Sequence, residues 1–329
     1  MFDAFLRFRV PAGPPKEQGQ PKPNQQPQKT TLLNITQIPP WYDPNPYILS
    51  GYRPLSNSWP RSLHSWTYLH NETTNIFSHL IPAVILLLVH GWLYEYLRAR
   101  HGANLKQFDY IVVSAQVLSG VICLFVSAVY HTGLNHSERV VGAWLGCDYA
   151  GILGCMVGCF ASGLHFGFYC RPGLKWFYWG VIVVLSSMNA MFLLNPRFNG
   201  PEWRRARLAG FIGTGLSAFA PIAHAWALWG PVCLWNVGVP HYLLEGLLLL
   251  IGCWFWEVRP SALLPTYLGW YIDRTKRRFP ESKYPGKFDI WGHSHTTWHV
   301  FVTLAILAHI AGLLSAIDYT YSQGCLIHT

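Results

Sequence analysis

Three histidines lie where long apolar runs meet polar sequence, and their spacing could hold a metal ion. His131 ends the run VICLFVSAVYH, whereas His295 and His299 open the run SHTTWHVFVTLAILAHIAG. The second pair is four residues apart, so on a helix both rings lie on one face. Neutral imidazole is a common metal ligand, and three protein ligands with one open position are typical of a catalytic Zn²⁺ site. The pattern therefore predicts a zinc site, provided that the fold brings His131 to the pair.

Two alternatives stand beside this interpretation. An interfacial histidine is often only a solvated or hydrogen-bonded side chain, and the chain has 15 histidines. His293 is another candidate for the site, but it precedes His295 by two residues and lies off its helical face. The shared face of His295 and His299 favours that pair.

The composition is typical of a membrane protein with several spans. Hydrophobic residues make up 51% of the 329 residues and charged residues 12%, whereas a soluble domain carries about 25% charged residues. The net charge of +9 does not require a nucleic-acid partner, because Lys and Arg collect in the cytoplasmic loops of such proteins. We therefore expect membrane lipid, and no nucleic acid, as the partner.

Seven stretches are long and apolar enough to cross about 30 Å of hydrocarbon. Each should be a helix, because an open strand leaves its backbone groups unpaired in lipid. None of them contains Lys or Arg, which disfavours a transporter with a charged pathway. The predicted spans are approximately Asn75–Leu97, Tyr110–Tyr130, Trp144–Tyr169, Trp176–Leu194, Leu208–Trp229, Val239–Trp256 and His295–Ile317.

The basic residues indicate the direction of the bundle. Most of the 24 Lys and Arg residues fall in the N-terminal tail and in loops such as NPRFNGPEWRRARL and YIDRTKRRF, which share one side of a seven-span protein. Basic loops face the cytoplasm. We therefore expect a cytosolic N-terminus and an extracytosolic C-terminus, in the plasma membrane or the endoplasmic reticulum. The basic loops should lie near anionic lipid.

The spans divide the chain into four parts. Residues 1–43 are rich in Pro and Gln and predict a disordered cytosolic tail. Residues 31–60 carry Pro pairs and aromatic residues, and residues 44–74 form the predicted juxtamembrane segment on the membrane surface. Residues 75–317 form the transmembrane domain, and residues 318–329 form a short extracytosolic tail.

Three of the eight cysteines fall on the predicted outer side, where a disulfide can persist. They are Cys170, Cys233 and Cys325. Three is an odd number, so at least one of them has no partner in this group. The sequence leaves open which pair, if any, is bonded.

The predicted topology places the three histidines at one depth, near the cytosolic face. Asp148 lies about one turn into the third span, in the same layer, and Ser127 precedes His131 by one turn. Zinc lowers the pKa of a bound water to about 7. Asp148 could orient that water, accept its proton and pass it to a leaving amine. Ser127 could supply a supporting hydrogen bond.

A polar stripe lies at the start of the first span, and an acid lies within the sixth. Glu72, Asn75 and His79 share one helical face. Either they form a structural hydrogen-bond network, which the sequence favours, or they reach the metal site. Glu245 is a buried acid without an identifiable partner, and an ionisable group inside a span is a candidate functional group.

Three sequence blocks resemble a known family. HNETTNIFSHL, then SAVYH followed by CDYAGI, then PGKFDIWGHSHTTWHV resemble the motif blocks of the progestin and adipoQ receptor family. That family includes adiponectin receptors, fungal membrane homologues and haemolysin III-type proteins. The likeness covers about residues 44–317, and the Pro/Gln-rich tail resembles the fungal branch. It implies an all-α, seven-helix integral membrane fold with the N-terminus inside.

The resemblance also implies roles for the candidate residues. The positions that match the zinc ligands are His131, His295 and His299. Asp148 matches the acid beside the zinc-bound water. The remaining motif positions are matched by Ser127, Glu72, Asn75 and His79.

Two functions follow from the resemblance. In the first, the protein is a zinc-dependent amidohydrolase of the ceramidase type, which cleaves ceramide or a related sphingolipid and releases a fatty acid. In the second, it is a receptor or sensor in lipid, sterol or zinc homeostasis, with a structural zinc and no turnover. The outer loops are short and offer little surface to a protein ligand, whose nature the sequence leaves open.

Overall fold

The computed structural model describes residues 31–42, 45–198, 203–256 and 278–324. These residues contain no β-strand, and α-helices dominate them. In chain order the helices are α1 (Trp59–His64), α2 (Thr73–His101), α3 (Gln107–Gly133), α4 (Glu138–Gly167), α5 (Pro172–Leu193), α6 (Arg204–Leu216), α7 (Phe219–Asn236), α8 (Val239–Trp256) and α9 (Ser294–Gln323).

Seven helical segments of the described chain are long and apolar enough to cross a membrane. They are α2, α3, α4, α5, the pair α6 and α7, α8, and α9. The prediction of seven spans is therefore confirmed. Helices are the expected solution, because each one satisfies its own backbone hydrogen bonds in lipid.

The fifth and the seventh spans depart from their predictions in a way that changes the helix itself. The fifth span is divided between α6 and α7, and α7 kinks at Gly230, whose φ is 72°. Pro231 follows that glycine, lacks an amide hydrogen and restricts the residue before it, so the helix cannot continue regularly. The last span runs beyond Ile317, its predicted end, to Gln323. The first residues of the predicted C-terminal tail are therefore helical.

The centre of the bundle is formed by α3 and α9. About half of the apolar stretch of each is buried, and α9 packs against α2, α3, α4 and α8. Leu124 on α3 and Leu313 on α9 are fully buried. In contrast, Leu88 and Trp92 on α2 are exposed. Outward apolar side chains of this kind are expected of a helix that faces lipid.

Two glycines let α8 lie close against α9. Gly238, just before α8, has a φ of 83°, and a Cβ atom there would lie 2.3 Å from the carbonyl oxygen of Gly312. A Cβ atom on Gly312 would lie 2.8 Å from Cε1 of Tyr242. Glycine permits both the positive φ and the close approach. The contact helps to bring Glu245 of α8 next to α9.

A buried carboxylate joins three helices at the end of the bundle opposite His131. Asp109, near the start of α3, accepts hydrogen bonds from His165 Nε2, Tyr169 Oη and Tyr321 Oη, each at 2.7 Å. The Asp109 side chain is buried. Its partners lie on α4, just after α4 and on α9. The network therefore ties the ends of α3, α4 and α9 together.

The cysteines on the predicted outer side differ in state. Cys170 is disulfide-bonded, whereas Cys233 is a buried free thiol. Cys325 lies outside the described residues, as do residues 1–30 of the predicted tail and residues 257–277 of the long basic loop.

Replacing Asp109 should loosen the helix ends that it joins. Asp109→Ala leaves the buried His165 and the partly buried Tyr169 and Tyr321 without their acceptor. This loss costs about 3 kcal/mol and lowers the thermal unfolding midpoint by roughly 6–10 °C. The measurement is thermal unfolding of the purified protein in detergent.

The matched control for this variant is Asp318→Ala. Asp318 forms an ion pair with Arg100 on the surface of the protein, and such pairs contribute little to stability. The control should therefore unfold close to the wild-type temperature. Equal shifts in the two variants would contradict the role assigned to Asp109.

Candidate metal centre

The fold brings the three predicted histidines together at one end of the bundle. His131 lies near the end of α3, and His295 and His299 lie in the first two turns of α9. His295 Nε2 lies 3.2 Å from His131 Nε2 and 3.2 Å from His299 Nε2. Two nitrogens bound to one tetrahedral Zn²⁺ lie about 3.3 Å apart. The spacing of the ring nitrogens therefore fits a zinc ion.

In His131 and His299, the ring nitrogen that faces away from His295 is hydrogen-bonded to an oxygen. These hydrogen bonds favour the tautomer whose Nε2 lone pair is free to bind a metal ion. His131 Nδ1 lies 2.8 Å from Glu72 Oε2, and His299 Nδ1 lies 3.1 Å from the backbone oxygen of Asn75. Both oxygens accept hydrogen bonds, so each Nδ1 carries the hydrogen and each Nε2 keeps its lone pair. The two lone pairs face His295. Metal-binding histidines are commonly oriented in this way.

The polar stripe at the start of α2 contacts two of these histidines. Asn75 Nδ2 donates to Glu72 Oε2 at 2.7 Å and so holds the carboxylate that faces His131. His79 stacks on His299 with 3.8 Å between ring centroids, and its Nε2 lies 3.2 Å from the His299 backbone oxygen. The stripe is a hydrogen-bond network, and that network is built around the histidines.

Asp148 and Ser127 line the same cavity as the histidines. The Ser127 hydroxyl lies one turn before His131 on α3, on the same wall of the cavity. α4 begins at Glu138, six residues before the predicted start of the third span. Asp148 therefore lies almost three turns into its helix instead of one. It still lies close enough to His131 for the two groups to interact electrostatically.

His293 has a different role from His295. It is the N-cap of α9, and its Nδ1 accepts a hydrogen bond from the Thr296 amide at 3.5 Å. Its Nε2 lies 3.1 Å from Thr296 Oγ1. Both ring nitrogens thus face the first turn of α9, where a cap satisfies an unpaired amide. This geometry agrees with the preference for His295.

A buried arginine that the sequence did not single out supports the end of α3. Arg53 Nη2 donates to the backbone oxygen of His131 at 2.7 Å. Arg53 Nη1 donates to the Thr132 backbone oxygen at 2.9 Å and to Ser65 Oγ at 2.8 Å. The guanidinium is buried at the negative end of the helix dipole. The only signal in the sequence is a single arginine in a segment rich in proline and aromatic residues.

Glu281 and Asp289 join the segment before α9 to the segment before α1 through hydrogen bonds. Glu281 accepts hydrogen bonds from the Ser294 amide at 2.8 Å and from Asn45 Nδ2 at 3.0 Å. Asp289 accepts from the Ser50 amide at 2.9 Å and from the Ser50 hydroxyl at 2.6 Å. We call these two segments, residues 45–58 and 278–293, the cover.

A long cavity of about 1010 Å³ begins at the histidines and extends into the bundle. Its wall combines residues of α3, α4, α6, α7, α8 and α9. Most of the wall is apolar, as at Ile152, Phe211 and Leu250. The volume is at the upper end of the range for small-molecule sites. It suits a ligand with a polar end and a long apolar chain.

The profile of the family described as haemolysin-III related matches residues 67–310. The chain belongs to this family. The resemblance seen in the three sequence blocks is therefore confirmed. Together with the seven apolar helices, it makes the chain a multi-pass integral membrane protein of the adiponectin-receptor type.

Several curated proteins are similar to this chain in sequence. The ADIPOR-like receptor IZH2 of Saccharomyces cerevisiae is 30% identical over 295 residues, which cover 88% of this chain and 85% of that protein. Progestin and adipoQ receptor-like protein 1 of Caenorhabditis elegans is 30% identical over 86% of this chain and 60% of its own length. The adiponectin receptor protein of Drosophila melanogaster is 28% identical over 86% of this chain and 59% of its own length. The chain thus spans most of the yeast relative and about three-fifths of these two animal relatives.

Two groups beside the three histidines have strongly shifted pKa values. Burial alone raises the pKa of Glu72, but the hydrogen bonds from His131 and Asn75 outweigh it and hold that pKa well below its usual range. Glu72 is therefore ionised next to the histidines. Burial and the Arg53 charge lower the pKa of His70 to about 3. His70 is therefore neutral at pH 7.

Acid should destabilise this end of the protein through His70. Its pKa is about 3 in the folded protein and 6.5 ordinarily, so the unfolded state takes up a proton first as the pH falls. Stability that is fully present above pH 6.5 is lost as the pH falls towards 3, with about 2 kcal/mol lost by pH 5. His70→Asn keeps an acceptor for the Glu72 amide. Its unfolding midpoint should therefore fall less between pH 7 and pH 5 than that of the wild type.

His64→Asn is the control for this measurement, because His64 is exposed. Its unfolding midpoint should change with pH as that of the wild type does. If the three proteins lose the same stability between pH 7 and pH 5, His70 does not cause the acid sensitivity.

Proposed function

We propose that the protein binds Zn²⁺ at His131, His295 and His299 and hydrolyses a lipid amide of the ceramide type in the adjoining cavity. The observation that carries this proposal is the convergence of three ring nitrogens, 3.2 Å from one to the next, at the polar end of a lipid-sized cavity. Three protein ligands with an open position are typical of catalytic zinc, whereas structural zinc has four.

The chain's own residues have distinct tasks in this proposal. Zinc, when bound, supplies a Lewis acid and a water of lowered pKa. Asp148 orients the attacking water, takes up its proton and delivers that proton to the leaving nitrogen of the amide. The Ser127 hydroxyl holds the Asp148 carboxylate in position. The apolar wall of the cavity holds the acyl chain and keeps bulk water away from the amide.

Charge balance supports the same assignment. Three neutral imidazoles leave the +2 charge of zinc intact, and an unbalanced charge is costly at membrane depth. Glu72 faces His131, and Asp148 lines the same cavity. Two carboxylates therefore offset the two positive charges. The products would be a fatty acid and a sphingoid base, both of which are membrane lipids.

We also propose that the histidine end of the bundle faces the cytosol, so that the N-terminus is cytosolic and the C-terminus extracytosolic. The support is the basic sequence at this end. Arg197 lies in the connection between α5 and α6 there, and Arg205 lies in the first turn of α6. Cytoplasmic loops and helix ends are enriched in such residues. Anionic lipid is the partner that these loops would contact. The membrane would be the plasma membrane or the endoplasmic reticulum.

A second function has separate support. Zinc bound by His131 on α3 and by His295 and His299 on α9 would join the two most buried helices, which stabilises the bundle without any turnover. The yeast and fly relatives carry the names of receptors. In this alternative the protein senses a lipid, a sterol or a protein ligand, and Asp148 carries out no chemical step.

Zinc binding is tested by the metal content of purified variants. His295→Ala should lose one equivalent of zinc relative to the wild type, because only two imidazoles remain. His64→Ala, at an exposed position, should keep the wild-type content. Zinc that stays bound in His131→Ala, His295→Ala and His299→Ala alike would overturn the assignment.

Asp148→Asn separates the hydrolase from the receptor. The variant should keep its zinc but hydrolyse a short-chain ceramide about 100-fold more slowly or worse, because an amide cannot take up the proton. Fatty-acid release is compared among the wild type, this variant and Asp318→Asn, a surface control whose rate should be unchanged. Equal rates in Asp148→Asn and wild type would exclude Asp148 from the reaction. A wild type that binds the lipid saturably but releases no fatty acid is a receptor.

A further inference from the structure

A second group of metal-binding side chains lies deeper in the same cavity. Cys159 on α4, Glu245 on α8 and His309 on α9 each offer one ligand atom, and these atoms lie within 4.8 Å of one another. All three residues line the cavity. His309 follows His299 by ten residues on α9, which corresponds to about 15 Å along the helix. The group is therefore separate from the three histidines.

The hydrogen bonds around His309 indicate where its protons lie. Ser162 Oγ has two backbone acceptors for its hydrogen, the Gly158 oxygen at 2.9 Å and the Cys159 oxygen at 3.1 Å. With the hydrogen on either of them, Ser162 Oγ accepts from His309 Nε2 at 3.0 Å. With Nε2 protonated, the lone pair of the neutral ring is on Nδ1, which faces Glu245 Oε2 at 2.7 Å. At that distance a further proton lies between the two atoms. A cation can replace this proton.

Two other polar groups suit a metal ion at this position. Gln116 Nε2 donates to Cys159 Sγ at 3.2 Å, and such a bond is stronger to a thiolate than to a thiol. The Tyr242 hydroxyl is buried without a hydrogen-bond partner in the described part of the chain, and its ring lies 4.8 Å from that of His309. A buried hydroxyl without a partner is costly. A water in the open position of a bound ion would supply that partner.

The group can take up a divalent ion without a change in net charge. Binding releases the proton between His309 and Glu245 and the proton of the Cys159 thiol. The divalent ion brings two positive charges and the two released protons remove two, so the net charge is unchanged. This balance suits a site within the spans, where added charge is costly. Thiolate, imidazole and carboxylate together favour a transition metal ion such as Zn²⁺ or Co²⁺ over Mg²⁺ or Ca²⁺.

We propose that Cys159, Glu245 and His309 form a second site for a divalent transition metal ion, inside the cavity. α8 packs mainly against α9, whereas Cys159 belongs to α4 on another wall. A bound ion joins α4 to α8 and narrows the passage that an acyl chain takes beyond the three histidines. The site does not depend on the proposed hydrolase activity.

Cobalt binding to the purified, metal-depleted full chain tests this site. A thiolate ligand gives Co²⁺ a sulfur-to-metal charge-transfer absorption, whereas three imidazole ligands do not. The absorption therefore distinguishes Co²⁺ bound at Cys159 from Co²⁺ bound at the three histidines. The wild type should bind a second equivalent of Co²⁺ and develop this absorption. Cys159→Ser should lose both the second equivalent of Co²⁺ and the absorption. His309→Gln should lose both as well, although its thiol is intact.

Cys253→Ser is the matched control, because Cys253 is another free thiol that lines the same cavity. This variant should keep the absorption and both equivalents. His299→Ala should lose the other equivalent and keep the absorption. A wild type without the absorption, or an absorption that survives Cys159→Ser, would overturn the second site. If the wild type develops the absorption but binds only that one equivalent, the three-histidine site of the proposed function is wrong and the second site stands.

Discussion

A charge inside a lipid bilayer must be balanced by the protein, because hydrocarbon supplies neither water nor counterions. At the histidine end, Glu72 faces His131 and Asp148 lines the same cavity, so a dication there meets two carboxylates. Arg53 is the opposite case, since its buried cation donates hydrogen bonds to backbone oxygens at the negative end of the α3 dipole. At the far end, Asp109 is surrounded by three hydrogen-bond donors. The positions of the polar groups follow from this requirement.

The same requirement explains why non-helical chain covers the three histidines. A helix leaves its last backbone oxygens unpaired, and irregular backbone is tolerated at membrane depth only where protein buries it. Arg53 supplies the donors that the end of α3 lacks. Glu281 and Asp289 supply acceptors for the start of α9 and for the cover. The cover therefore completes the helix ends that carry the histidines, and it brings charged groups close to the centre without exposing them to lipid.

Apolar run lengths were sufficient to predict the seven spans, and a four-residue spacing was sufficient to predict the shared face of His295 and His299. Each of these predictions concerns a single helix, and the length of an apolar run and the spacing of residues along it are visible in the sequence. The partner of Glu245 was not predictable in this way. His309 lies on another helix, and the period of a helix does not tell which faces of two helices meet. Arg53 was missed for the same reason, because its acceptors on α3 follow it by 78 and 79 residues.

The cavity bears on whether a zinc at the three histidines would be structural or catalytic. A structural ion is enclosed by four protein ligands, and an ion that only joined α3 to α9 would require no space beside it. Here the lining of a cavity of about 1010 Å³ includes all three histidines and Asp148. A cavity of that size can hold a lipid-sized ligand. The proposed hydrolase would use that space for its substrate, whereas an ion that only joined two helices would have no need of it.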